Sequence, residues 1–253
     1  MSLIEATVTG IGSLIAEARR VLLGFGKTRY WFRGHAEAAW ELVPSVHRHY
    51  DNIGERNLMG RFRLGAPTRY ANSPELTDVA SWVALMQHFG LPTRLLDWTS
   101  SLLTAAYFAV EFEKRPGPAL IWALFPSELN NVSSYGKDSG FLLHGPEAKP
   151  LLSAAFDGTN CADDVIAVLP SETDMRMSLQ QGAFTLHASG QPLEQRSGAN
   201  RYLARFLIPE TSRNEMVDEL WVLGVRRSAL FPDLANLAAE LSSDSRLIPR
   251  QRL

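Results

Sequence analysis

Between His88 and Phe112 the chain reads HFGLPTRLLDWTSSLLTAAYFAVEF. A histidine, an arginine, an aspartate and a Thr-Ser-Ser run crowd together and then open directly into a strongly apolar segment. Polar groups this dense, set against residues that must be buried, form either a hydrogen-bonded structural network or a site. Far upstream, Tyr30-Trp31-Phe32-Arg33-Gly34-His35 has the same character, an arginine and a histidine flanked by aromatics. These two segments are expected to meet in space. A third cluster, Arg176-Met177-Ser178-Leu179-Gln180-Gln181-Gly182-Ala183-Phe184-Thr185, reads as a loop entering a strand.

Each candidate has a structural and a chemical reading. A hydroxyl of Thr99, Ser100 or Ser101 is placed to cap the apolar helix that follows. The same helix entrance offers unpaired amides and a positive dipole end, which suit a phosphate. Arg33 either pairs with a carboxylate, for which Asp97 is the obvious partner, or clamps a phosphate or ribose hydroxyl. Gly34 beside it permits close backbone approach. Arg94, between Thr93 and Leu95, is read as structural. His88 and Asp97 are the candidates for acid–base work, and Gln181 for a hydrogen bond to a ribose hydroxyl. The competing reading joins Arg33, Asp97 and His88 in one buried network that locks a strand to the central helix. His47 and His49, two residues apart, share no helix face and give a metal site little support. No GxSxG, Walker-type loop or GxGxxG is present.

Hydrophobic periodicity supplies the elements that must carry these groups. Ile11, Leu14, Ile15, Ala18 and Leu22 mark an amphipathic helix over 11–23, ended by Gly24 and Gly26. Strands are expected at 29–33, 93–98, 118–125, 165–169, 184–187 and 202–208. Helices are expected at 55–70, interrupted by Pro67, and at 76–89, with Pro74 suited to its first turn. Others follow at 102–112, 214–223 and 234–241. Residues 102–112 are apolar on nearly every face, so that helix should be covered on all sides. Residues 130–163 have no clear period and read as an insert.

With 253 residues, 45% hydrophobic and 21% charged, the chain has the make-up of a globular protein with a substantial core. A net charge of −2 disfavours a general polyanion binder. A single cysteine, Cys161, excludes an intramolecular disulfide and a cysteine-based zinc site, and fits a reducing compartment. The first residues lack a basic stretch followed by an apolar one, and no run of about 18 apolar residues occurs. A cytoplasmic protein without membrane contact is expected. The fold class is α+β, one domain with small central mixed or antiparallel sheets flanked by helices.

Phe32-Arg33-Gly34, the block from His88 through Thr99, Gln181-Gly182-Ala183-Phe184-Thr185 and Leu230-Phe231-Pro232-Asp233-Leu234 together resemble the FRG domain family. On that resemblance the chain divides into a helical lead-in over 1–28, the domain over 29–241 and a tail over 242–253. The order of motifs is also similar, more remotely, to ADP-ribosyltransferases. There an Arg or His on a strand binds NAD, a Ser-Thr-Ser strand before a helix supports the nicotinamide ribose, and a later Gln/Glu-x-Glu motif carries the catalytic glutamate. The resemblance implies NAD as co-substrate, with Arg33, Gly34, Thr99 and Ser100 binding it and His88, Asp97 and Gln181 as catalytic candidates. It implies a toxin or phage-defence effector with a protein or nucleic-acid target and an antitoxin-like or defence-system partner. A non-catalytic module binding a nucleotide or a protein is the alternative. Gly182 stands where the motif would put its glutamate, and no Glu lies between Glu172 and Glu194. NAD binding is therefore implied more directly than transfer.

Overall fold

A computed structural model describes residues 3–24, 29–113, 115–136, 141–159, 161–169 and 181–243. In chain order the elements are β1 (Ile4–Thr7), α1 (Ile11–Gly24), β2 (Trp31–His35), α2 (Ser45–His49), α3 (Asn52–Gly65), α4 (Val79–His88), β3 (Leu95–Thr99) and α5 (Leu102–Val110). They continue with β4 (Ala119–Leu124), α6 (Pro126–Val132), β5 (Phe141–Leu142), α7 (Lys149–Asp157), β6 (Val165–Leu169), β7 (Gly182–His187) and β8 (Leu203–Ile208). Three short helices close the described chain, α8 (Arg213–Val222), α9 (Arg227–Leu230) and α10 (Leu234–Ser243).

The strands form one mixed sheet in the order β1-β8-β4-β2-β3-β7-β6-β5, so the fold is α+β with an open sheet and helices against it. Strand alternation sorts the side chains into two faces. On one face Phe32, Ile121, Ala123, Ala204 and Phe206 pack on α1, α5 and α8. Farther along that face, Leu95, Ile166, Phe184 and Leu186 pack on α4 and α7 instead. The opposite face buries Trp31, Leu96, Trp98, Trp122 and Val165. The helical cover thus changes hands between β2 and β3. There the ladder also thins: β2 makes five pairs with β4, Trp31↔Leu124 to His35↔Leu120, but meets β3 only at Phe32↔Thr99. The sheet is split at its centre.

Helix α5 can reach this split because of one residue. A Cβ built on Gly34 would lie 2.0 Å from the Ala105 carbonyl oxygen and 2.6 Å from the Ala109 nitrogen. Only glycine lets the helix backbone lie this close to β2. Ser101 caps α5, its hydroxyl accepting from the Thr104 amide at 3.2 Å. The far end of the helix is held by Arg213, buried in α8. Its guanidinium donates to the carbonyls of Ala36, Ala109, Arg115 and Gly117, tying the exit of β2, the end of α5 and the turn before β4 together.

Several boundaries differ from those expected of the sequence. Helix α4 starts at Val79 rather than near Leu76, because Asp78 accepts from the Ser81 amide and sets the first turn. Helix α3 begins at Asn52, capped by Asp51, and ends at Gly65 before Pro67. The lead-in is not only helical, since β1 pairs in parallel with β8. The region read as an insert contains α7 and β5, whose buried Leu151, Leu152 and Phe141 complete the core under α4. Residues 93–94 precede β3, and Arg94 is a structural residue as expected. Its guanidinium forms an ion pair with Glu55 of α3, both side chains 2% exposed, and donates to the Leu151 carbonyl at 2.6 Å.

Candidate functional site

The split between β2 and β3 opens into a cavity of about 450 Å³. Arg33 and Gly34 of β2, Gln87 and His88 at the end of α4, and Asp97 and Thr99 of β3 border it, with Phe108 and Phe112 on the α5 side. Its size lies within the range of small-ligand pockets, and its mix of aromatic walls and a few convergent polar groups is their usual make-up.

Arg33 is the fixed point. Its Nε donates to His35 Nε2 at 3.0 Å, and its Nη1 donates to the Asp97 carbonyl oxygen at 2.7 Å. The guanidinium thereby bridges the two strands where the backbone ladder does not. The bonds also fix the His35 tautomer: Nε2 must accept, while Nδ1, 3.1 Å from the Trp40 carbonyl, must carry the proton. Burial, then the neighbouring Arg33 and Arg48 charges, hold the His35 pKa well below the ordinary histidine value. Burial also lowers the Arg33 pKa, partly offset by Asp97. Two of the three guanidinium nitrogens are thus committed, and Nη2 has no hydrogen-bond partner among the described residues.

The Asp97 carboxylate stands beside this group, Oδ2 lying 3.8 Å from Arg33 Nη1. It is 58% exposed, so the fully buried Arg33–Asp97–His88 network does not form as the sequence suggested. Its hydrogen-bond partner is Gln87, not His88. Gln87 Nε2 lies 2.9 Å from each carboxylate oxygen. The Gln87 carbonyl in turn accepts from the Thr93 hydroxyl, which accepts from the Leu95 amide at 3.1 Å. His88 borders the cavity half-buried, its ring edge-on to Phe89.

The remaining candidates lie along the same strands. Thr99 lines the cavity, and its hydroxyl accepts from the Ser101 amide at 3.0 Å. Ser100 points to the next residue over: its hydroxyl donates to Gln181 Oε1 at 2.7 Å and its amide to the Gln181 carbonyl at 3.1 Å. Neither Ser100 nor Gln181 is among the cavity-lining residues, although their chain neighbours Thr99 and Gly182 are. Gln181 has φ of 49°, a left-handed conformation uncommon outside glycine. Arg176 to Gln180, the first half of the third cluster, lie outside the described residues. Gln87, Thr93, Phe112 and Glu113 were not among the expected site residues; the last is a second carboxylate at the cavity, paired with Arg115. The position of Gln87 and Thr93 on either side of the His88-Phe89-Gly90-Leu91-Pro92 turn was the available signal.

Ser81, His144 and Asp78 come together, with both Ser81 Oγ (3.0 Å) and Asp78 Oδ1 (3.6 Å) facing the same ring nitrogen, Nε2. Asp78 is therefore not placed as the acid of a catalytic triad, which needs the carboxylate on the opposite nitrogen from the hydroxyl. No group of three or more His, Cys, Asp or Glu among the described residues could hold a metal ion. No described helix is long and apolar enough to cross a membrane.

Residues 28–117 match the family model of the FRG domain. No curated protein and no solved structure matches the chain. Among the described residues, the matched span contains every one that lines the cavity except Gly182 and Phe184.

Proposed function

The chain carries an FRG domain over residues 28–117, and from that premise we propose that the central cavity binds a nucleotide, NAD first among candidates. The observation that carries this reading is Arg33: a guanidinium locked by two hydrogen bonds, with its third nitrogen uncommitted, at a cavity of nucleotide-fitting size. Preorganisation of this kind reduces the ordering cost of binding. Next to it, the Asp97 carboxylate offers an acceptor. A ribose hydroxyl can accept from Arg33 and donate to Asp97 at once, whereas a free phosphate would meet repulsion from Asp97. Phe108 and Phe112 supply an apolar wall for a ring.

The remote likeness to ADP-ribosyltransferases extends the reading to chemistry. In such a transfer the C1′–N bond breaks and nicotinamide leaves with its electron pair. The acceptor forms a new bond at C1′ and gives up a proton. His88 is the group at the cavity suited to take that proton, and Asp97 to support the charge that builds on the ribose. Ser100 and Gln181 hold the β3–β7 corner beside it. The cellular role that goes with this is a toxin or phage-defence effector acting on a protein or nucleic acid. Incubation with NAD labelled in the nicotinamide ring tests the chemistry: release of labelled nicotinamide that disappears in Asp97→Asn is expected, and intact NAD in the presence of candidate acceptors opposes it.

A binding module without turnover is the second reading. It is favoured by Gly182 at the position where the glutamate would stand, and by the tie of both Asp97 oxygens to Gln87. NAD capture without any nicotinamide release separates the two.

A further inference from the structure

We infer that Thr93 and Gln87 form a two-residue relay that sets the orientation of the Asp97 carboxylate at the cavity, so that both are positioning residues of the site. This rests on the nucleotide reading of the same cavity. A glutamine amide beside a carboxylate has two orientations, and only one presents its N–H groups. The other would set the carbonyl against the carboxylate and repel it. What selects between them is Thr93, which is fully buried. Its hydroxyl oxygen accepts from the Leu95 amide at 3.1 Å, a bond whose direction is fixed because an amide can only donate. The hydroxyl proton is left to donate, and it goes to Gln87 Oε1. The Gln87 amide is therefore forced to turn Nε2 toward Asp97, where it stands 2.9 Å from both oxygens.

The directionality runs from backbone to site in three steps: Leu95 amide to Thr93 hydroxyl, Thr93 hydroxyl to Gln87 carbonyl, Gln87 amide to Asp97 carboxylate. Each link sits on a rigid support, since Thr93 lies two residues before β3 and is bonded to its first amide, Gln87 is in the last turn of α4 and Asp97 is in β3. The relay thus joins α4 to the central strand across the turn at 89–92. Asp97 is presented as an acceptor beside the Arg33 guanidinium, and the ligand group that fits the pair is a hydroxyl rather than a second anion.

The test compares the wild type with Thr93→Val, Thr93→Ser and Gln87→Met. Valine keeps the shape of threonine and removes the hydroxyl, and serine restores it. Gln87 is only half-buried, so Gln87→Met keeps the question open to measurement should Thr93→Val fail to fold. Two quantities are read: the NMR signals and hydrogen exchange of the Gln87 side-chain amide, and NAD affinity by calorimetry. In Thr93→Val the amide is expected to shift and lose protection, and NAD to bind roughly tenfold more weakly, the weight of one lost hydrogen bond. Thr93→Ser is expected to recover both, and Gln87→Met to match Thr93→Val in affinity. An unchanged Gln87 amide in folded Thr93→Val overturns the relay. An altered amide with wild-type NAD affinity, or wild-type affinity in Gln87→Met, overturns the positioning role. Failure of the wild type to bind NAD removes the nucleotide reading and the positioning role that rests on it, while the amide signal still decides the relay.

Discussion

Arg33 makes its two bonds with different atoms, Nε to His35 and Nη1 to the Asp97 carbonyl, and only a guanidinium can do both and keep a donor edge open. Arg33→Lys keeps the charge but cannot reproduce that fork. It is expected to weaken NAD binding at least about tenfold while the protein remains folded; calorimetric titration beside a thermal melt checks it, and equal affinity for both proteins opposes it. The histidine behind Arg33 makes a separate prediction. His35 and His187 are both held well below the ordinary histidine pKa, chiefly by burial. The folded values are therefore depressed, so the unfolded chain takes up protons first. The stability conferred by keeping these rings neutral is fully present above about pH 6.5 and is lost as pH falls below it. Urea midpoints at about pH 7.5 and about pH 5.5 should show the loss, and His35→Gln should make it smaller. Arg33, Gly34, Asp97 and Thr99 were legible from residue type because they stand in one dense block or beside aromatics. Gln87 was not, since a glutamine before a histidine on a helix looks solvent-facing until Thr93 and Asp97 are seen around it.

At the scale of elements, the central helix α5 and strand β2 are in contact through the absence of a side chain. Gly34→Ala would drive a methyl carbon into the Ala105 carbonyl oxygen, and the cost should exceed about 3 kcal/mol, the upper end for ordinary overpacking. Denaturant unfolding checks this, and a near-neutral effect would mean that α5 can move away from the split. The lower half of the sheet is tied to α3 by the buried Arg94–Glu55 pair. Glu55→Gln leaves the guanidinium buried without its counter-charge and should cost about 3–5 kcal/mol. The same unfolding measurement reads it, and a loss below about 1 kcal/mol would make the pair behave like a surface one. Most of these elements were visible as hydrophobic periods, and β6 matched at both ends (Val165–Leu169). Element ends set by side-chain caps were less visible: Pro74 looked like part of a helix's first turn, but Asp78 makes the capping bond. Helix α7 was missed because its apolar residues, Leu151, Leu152 and Ala155, fall inside a stretch rich in Gly and Pro.

For the whole molecule, the defining feature is a sheet divided at its centre between two sets of helices. One half rests on α1, α5 and α8, the other on α4 and α7, and β2 meets β3 at a single pair. A continuous ladder would have closed this gap with backbone bonds. Here a side chain, Arg33, closes it, and the cavity opens where the two covers part. The α+β class followed from helix and strand signals mixed in a chain that no repeat or linker divides. The single sheet of eight strands did not, because strand order depends on pairings between residues as distant as Ile4 and Ala204. The split itself has no sequence signature, since it consists of pairs that do not form.

The central claim is that this cavity takes NAD between Arg33 and Asp97. Calorimetric titration of the folded wild type with NAD, repeated on Asp97→Asn, tests it most directly. The wild type should bind with a single site per chain, and Asp97→Asn should bind at least about tenfold more weakly, because the amide can no longer accept on both oxygens. No heat of binding from the wild type, or the same affinity in Asp97→Asn, would contradict it.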